Sequence, residues 1–158
     1  MKEKLNIGLP EKAREAVAAV LARLLADEHV LYIKTRGFHW NITGRAFGTL
    51  HKLFEEQYDA LAESIDEIAE RIRQLGMPAP GSMKALLKLA ALKENEAALG
   101  EWEMVAALRD DHEAVIRSLR AGIAVAAKNG DDGNNDFLVG LLEQHEKAAW
   151  FLRAHLEG

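Results

Sequence analysis

The sequence predicts an all-α protein: one bundle of four long helices, with a single long connection in its middle. Three observations carry that prediction. Ala, Leu, Glu, Lys and Arg dominate the 158 residues and only three prolines interrupt them, a balance that favours helix. Apolar residues recur at three- and four-residue intervals, and no stretch alternates with the period of two that a half-buried strand shows. The breaks written in Gly, Pro and Asn are few and far apart, which suits long elements.

The first long helix is read from "GLPEKAREAVAAVLARLLADEHVLYIKTRGFHWN". Pro10 suits the first helical position and Glu11 the positive helix start, and Val17, Leu21, Leu24 and Leu31 then follow helical spacing. Asn41 and Gly44 mark the break. The second helix has the clearest pattern: Phe47, Leu50, Phe54, Tyr58, Leu61, Ile65, Ile68, Ile72 and Leu75 form one apolar stripe. Gly76 is placed to cap it, and Pro78 and Pro80 prevent continuation. A short helix capped by Ser82 is expected within "PGSMKALLKLAALKENE". A third long helix covers roughly 95–128 and stops at "KNGDDGNND", and a fourth covers roughly 134–156. Four long helices with a substantial crossover between the second and third describe a bundle of the ferritin-like type.

The chain is long enough for one domain, 1–158, with a real core. It has no cysteine, which excludes disulfides, thiolate nucleophiles and Cys-type zinc sites. The start "MKEKLNIGLPEKAR" lacks the apolar core of a secretory signal, and no run reaches the ~20 apolar residues that span a bilayer. A cytoplasmic location is therefore expected. The net charge of −5 argues against a general nucleic-acid binder, which ordinarily presents a basic surface.

Chemistry concentrates around the second helix. His39 and His51 stand on either side of the first turn, and Asp66 and Glu70 follow one helical turn apart. With the apolar stripe at zero and ~100° per residue, His51 falls near ~60°, Glu55 near ~100°, Asp66 near ~120° and Glu70 near ~160°. All four share one flank beside the core stripe. Along the axis, however, His51 and Glu70 are about 28 Å apart, while metal–ligand bonds measure only ~2.0–2.2 Å. One chain cannot close these residues around one ion; two chains can. The pairs 51/70 and 55/66 share a midpoint between Ala60 and Leu61. An antiparallel copy related by a two-fold axis there brings His51 and Glu55 beside Glu70 and Asp66 of its partner. Ala62 and Ala69 on the same flank allow close approach. Flank charges are ordinarily just solvated, and Glu67 with Arg71 is an ordinary i,i+4 pair, so spacing alone leaves both readings open. An intrachain di-iron site of the Glu-x-x-His kind is excluded, because none of the six histidines has Glu three residues earlier.

The block "FHWNITGRAFGTLHKLFEEQYDALAESIDEIAERIRQLG" resembles the Dps proteins, or mini-ferritins (DNA-binding proteins from starved cells). The block spans about a quarter of the chain, and the helix order matches over nearly all of it. The resemblance implies a hollow dodecamer that oxidises Fe(II), preferentially with hydrogen peroxide, and stores ferric mineral, protecting against oxidative stress. His39 and His51 match the family's two histidine ligands. Glu55 stands at the next ligand position, where the best-known members have Asp, and reaches one methylene further. Asp66 and Glu70 match the carboxylates given by the two-fold mate. Zinc is an expected substitute for iron on such nitrogen and oxygen ligands. Trp40 lies where the family places an aromatic, with packing or radical quenching as its roles. In "NGDDGNNDF", Asp131, Asp132 and Asp136 match the region lining an acidic three-fold pore, although acids there also favour a helix start.

The family name raises DNA binding as an alternative function, that of a nucleoid-condensing protein with secondary iron binding. Members that bind DNA directly carry a lysine-rich terminal arm; here about nine residues precede Pro10, with two lysines. Twelve chains at −5 each carry roughly −60 and repel phosphate. The remaining reading is a purely structural bundle with solvated flanks.

Overall fold

A computed structural model describes residues 5–157. Among them are five helices: α1 (Glu11–Asn41), α2 (Phe47–Gln74), α3 (Met83–Leu89), α4 (Glu101–Lys128) and α5 (Asp132–Leu156). The expected all-α bundle with a short crossover helix is the observed architecture. Helices α1 and α2 form one hairpin and α4 and α5 the other; α1 packs on α4 and holds α3 against its outer side. Helices α2 and α5 barely touch, which leaves a groove between them.

The ends of the helices follow local chemistry. Pro10 is the residue before α1 rather than its first helical residue, with extended ψ of 149°. Gly76 does cap α2. Its φ is +83°, and Gly76 N–H donates to Arg73 O and Met77 N–H to Ile72 O, the paired bonds of a Schellman motif. Gly130, with φ +68°, ends α4 the same way through Gly130 N–H to Ala127 O and Asp131 N–H to Ala126 O. The third long helix starts at Glu101, later than the expected 95. Gly100 precedes it, and the Glu103 carboxylate accepts from the Gly100 N–H at 2.8 Å, leaving 95–99 irregular. The fourth starts at Asp132, two residues earlier than expected, because Asp131 caps it. Ser82 caps α3 by accepting from Ala85 N–H. The buried Asp27 carboxylate pins the crossover by accepting from Ala91 and Leu92 N–H at 2.7 and 2.9 Å.

The stripe of α2 is rotated from the expected one. Leu50, Phe54, Leu61, Ile68, Ile72 and Leu75 are buried, but Tyr58 and Ile65 are half-buried and Phe47 is exposed. Gln57 and Ser64 take the inner positions instead. Complete burial of residues such as Phe54 and Leu50 contributes roughly 1.5–3 kcal/mol each, enough to hold α2 in this rotation. The core also has polar members, since Glu28, Gln57, His112 and His145 are all buried.

Candidate metal centre

The turn between α1 and α2 places the two histidines. Phe38 packs on Phe54 with ring centroids 6.5 Å apart, seating the end of α1 on α2. Gly44 adopts φ +116°, and a Cβ there would stand 2.2 Å from Glu101 Oε2. That carboxylate accepts from Ala46 N–H at 3.1 Å, tying the start of α2 to α4.

The turn brings His39 and His51 face to face, with ring centroids 3.7 Å apart and planes at 19°. Their hydrogen bonds are reciprocal. His39 Nδ1–H donates to the His51 carbonyl at 2.7 Å, and His51 Nδ1–H donates to the His39 carbonyl at 2.9 Å. A carbonyl only accepts, so both neutral rings carry the proton on Nδ1 and present Nε2 as a lone pair. Such outer bonds orient imidazoles that ligate metals. Phe47 stacks on His51 at 5.0 Å and Tyr58 meets His39 edge-on at 5.2 Å. Partial desolvation, followed by the Glu55 and Asp59 charges, raises the Tyr58 pKa above its ordinary value, so its phenol stays neutral beside the pair. Trp40 is largely exposed, with the Arg36 guanidinium 5.3 Å from its ring centre.

Glu55 stands one turn beyond His51 and is exposed, as are Asp66 and Glu70 further along α2. Within one chain the described residues contain no group of three or more His, Asp or Glu able to hold an ion. Within one chain His39, at the end of α1, and His51 therefore stand apart from Asp66 and Glu70 further along α2.

The three acids near the start of α5 have different fates. Asp131 is buried, and its carboxylate accepts from Asn134 N–H at 3.0 Å and from Asn134 Nδ2–H at 2.6 Å. Arg71 Nε–H donates to Asn134 Oδ1 at 2.8 Å, so the cap also joins α5 to α2. Asp131 is thus used internally as a cap, whereas Asp132 and Asp136 stay exposed.

One polar group escaped the sequence reading. Glu28, His145 and His112 form a hydrogen-bonded line in the core. The signal was present: His112 sits at helical spacing among Val105, Leu108, Val115 and Leu119, and His145 between Leu141 and Ala149, all of them buried.

Two helical hairpins joined by one long crossover are the architecture of a ferritin-like bundle. Residues 18–158 match the family model described as Ferritin-like domain. The chain is 45% identical over 157 residues to a low temperature-induced protein of Nostoc sp., covering 98% of this chain and 88% of that one. It is 38% identical to the DNA protection during starvation protein of Porphyromonas gingivalis, covering 98% of each. The Dps crystal structure from Vibrio cholerae, described as a member of the ferritin-like diiron-carboxylate superfamily, superposes with a TM-score of 0.92. It is 35% identical and covers 99% of this chain and 98% of its own. The chain belongs to the Dps proteins of the ferritin-like family.

Proposed function

We propose that this protein oxidises Fe(II) and stores the ferric product in a hollow assembly of twelve chains, with hydrogen peroxide as the preferred acceptor. The oxidation site is shared: His39, His51 and Glu55 come from one chain, and Asp66 and Glu70 from its two-fold mate. The observation that carries this reading is the reciprocal His39–His51 clamp. It fixes two Nε2 lone pairs at one end of a flank whose other end holds uncommitted carboxylates.

Iron is the substrate here. Imidazole nitrogen and carboxylate oxygen suit Fe(II), and the oxygen ligands also suit the harder Fe(III). Two Fe(II) supply two electrons, and one H2O2 with two protons takes them to give two Fe(III) and two waters, releasing no hydroxyl radical. The same ligands accept Zn(II), which makes zinc a competitive probe. Asp132 and Asp136 are the acids placed to attract cations at the start of α5. Protection of DNA, the role in the relatives' names, then comes from removing iron and peroxide. Binding to DNA itself is the second reading, and the charge of −5 per chain opposes it. Among the described residues no helix is long and apolar enough to cross a membrane.

Anaerobic Fe(II) loading followed by peroxide tests the proposal. The wild type should oxidise iron rapidly at about two Fe(II) per peroxide, and His51→Ala plus Asp66→Ala should abolish the fast phase. An unchanged rate in that double variant would mean that the site lies elsewhere.

A further inference from the structure

Glu28 on α1, His145 on α5 and His112 on α4 form a single file of hydrogen bonds. His145 Nε2 lies 2.7 Å from Glu28 Oε1, and His145 Nδ1 lies 2.9 Å from His112 Nδ1. Glu28 is fully buried, and His145 and His112 are 3% and 2% exposed. Of the five side-chain atoms buried without a hydrogen-bond partner among the described residues, four belong to this line and to Gln57, namely Glu28 Oε2, His112 Nε2 and both Gln57 amide atoms, and the fifth is Arg36 Nε. Buried polar atoms of this kind are uncommon and ask for an explanation.

Location supplies one. His112, His145 and Gln57 line the inner wall of the groove that α2 and α5 leave between them. The line therefore runs from Glu28, which does not line the groove, to the two histidines, which do, with His112 Nε2 buried just behind the groove wall. Glu28 and the two imidazoles are the titratable members. From α2 the inner wall receives Gln57 and Ser64, which do not titrate, while Glu56, Glu63, Glu67 and Lys147 stand at the groove rim.

We propose that Glu28, His145 and His112 form a relay that takes up one proton from the groove into the bundle interior. A lone carboxylate at zero exposure is costly unless a positive charge accompanies it. Without the extra proton, Glu28 accepts from His145 Nε2–H, His145 Nδ1 accepts from His112 Nδ1–H, and His112 Nε2 is a lone pair. A hydronium ion in the groove forms a new N–H bond at that Nε2 and leaves as water. The Nδ1–H bond of His112 breaks as its proton crosses to His145 Nδ1. His145 becomes an imidazolium beside the Glu28 carboxylate, and His112 is neutral again. Burial, with the neighbouring His145 charge second, lowers the His112 pKa well below its usual value, which suits a residue that passes the proton on. The inference stands apart from the iron reading, since it is tested without metal.

Infrared difference spectra of the intact, metal-free assembly across neutral pH, with and without 13C-histidine labelling, test it. The expected result is a histidine component and a carboxylate component that titrate together, accounting for about one proton per subunit. Glu28→Gln should delete this coupled component. His112→Asn retains a side chain able to hydrogen-bond to His145 but cannot pass a proton on, so the coupled component should persist at equilibrium and appear more slowly after a pH jump. Circular dichroism and particle mass would establish that each variant has assembled. Histidine and carboxylate bands that titrate separately in the wild type would overturn the relay, as would a coupled component that survives Glu28→Gln, or one that appears as fast after a pH jump in assembled His112→Asn as in the wild type.

Discussion

Asp131 separates two accounts of the acids at the start of α5, and its substitution can be worked through in numbers. Replacement by Ala removes the acceptor for Asn134 N–H, a capping bond whose loss costs about 1 kcal/mol. It also strips the acceptor from Asn134 Nδ2–H. Asn134 is 1% exposed, so that donor is left buried, at a further cost of about 1–3 kcal/mol. The sum is about 2–4 kcal/mol per subunit. Asp131→Asn keeps an oxygen for the backbone N–H and so spares the capping bond, but it sets two amide donors against each other and should cost about 1–3 kcal/mol. Guanidinium unfolding followed by circular dichroism, at one fixed protein concentration because assembly contributes to stability, gives the three values. Iron uptake in the same variants should be unaffected by Asp131→Asn and slowed by Asp136→Asn. Equal stability of Asp131→Ala and wild type would refute the cap account, and slower uptake in Asp131→Asn would return that residue to the pore.

Further outcomes follow from other parts of the molecule. The His112 pKa is held below its ordinary 6.5 by burial, so its contribution to stability is complete above pH 6.5 and falls away as the pH drops below it. The loss amounts to about 1.4 kcal/mol per pH unit per subunit, and His112→Phe should remove that part of the acid slope in unfolding titrations; identical slopes would contradict it. A Cβ at Gly122 would lie 2.7 Å from Val20 Cγ1, so Gly122→Ala should lose about 1–3 kcal/mol by overpacking α1 against α4, read in the same unfolding assay. Gel-shift titration at physiological salt should show no compaction of DNA, whereas compaction that persists there would favour the nucleoid reading.

The helices were legible because each carries its own periodic signal and its own stop. The stop at Gly76 was readable for a physical reason: only a residue tolerant of positive φ completes that cap. The late start of α4 was not readable, because 96–99 carries the helix formers Glu, Ala, Ala and Leu and the start depends on one carboxylate reaching back to Gly100. The rotation of α2 was misread at Phe47, Tyr58 and Ile65. An apolar stripe two residues wide does not say which edge its neighbours cover, and here the core took Gln57 and Ser64 while Phe47 stayed against His51. At the site, the positions of the two histidines were readable from spacing, but their mutual hydrogen bonds were not, since these arise from the turn geometry that Gly44 and Glu101 set. The buried acid and histidines stand at core spacing within the apolar stripes of α1, α4 and α5, so their burial was legible in the sequence.

The central claim, that each oxidation site is divided between two chains, is tested most directly by mixing two inactive variants. His51→Ala and Asp66→Ala chains should each assemble into particles without fast iron oxidation. When the two are co-assembled at random, about half the two-fold pairs are mixed, and each mixed pair has one site with all its ligands and one with none of the pair. About a quarter of the wild-type activity should therefore return. Failure of the co-assembled particles to regain any activity would place both residues in one chain's site and contradict the account.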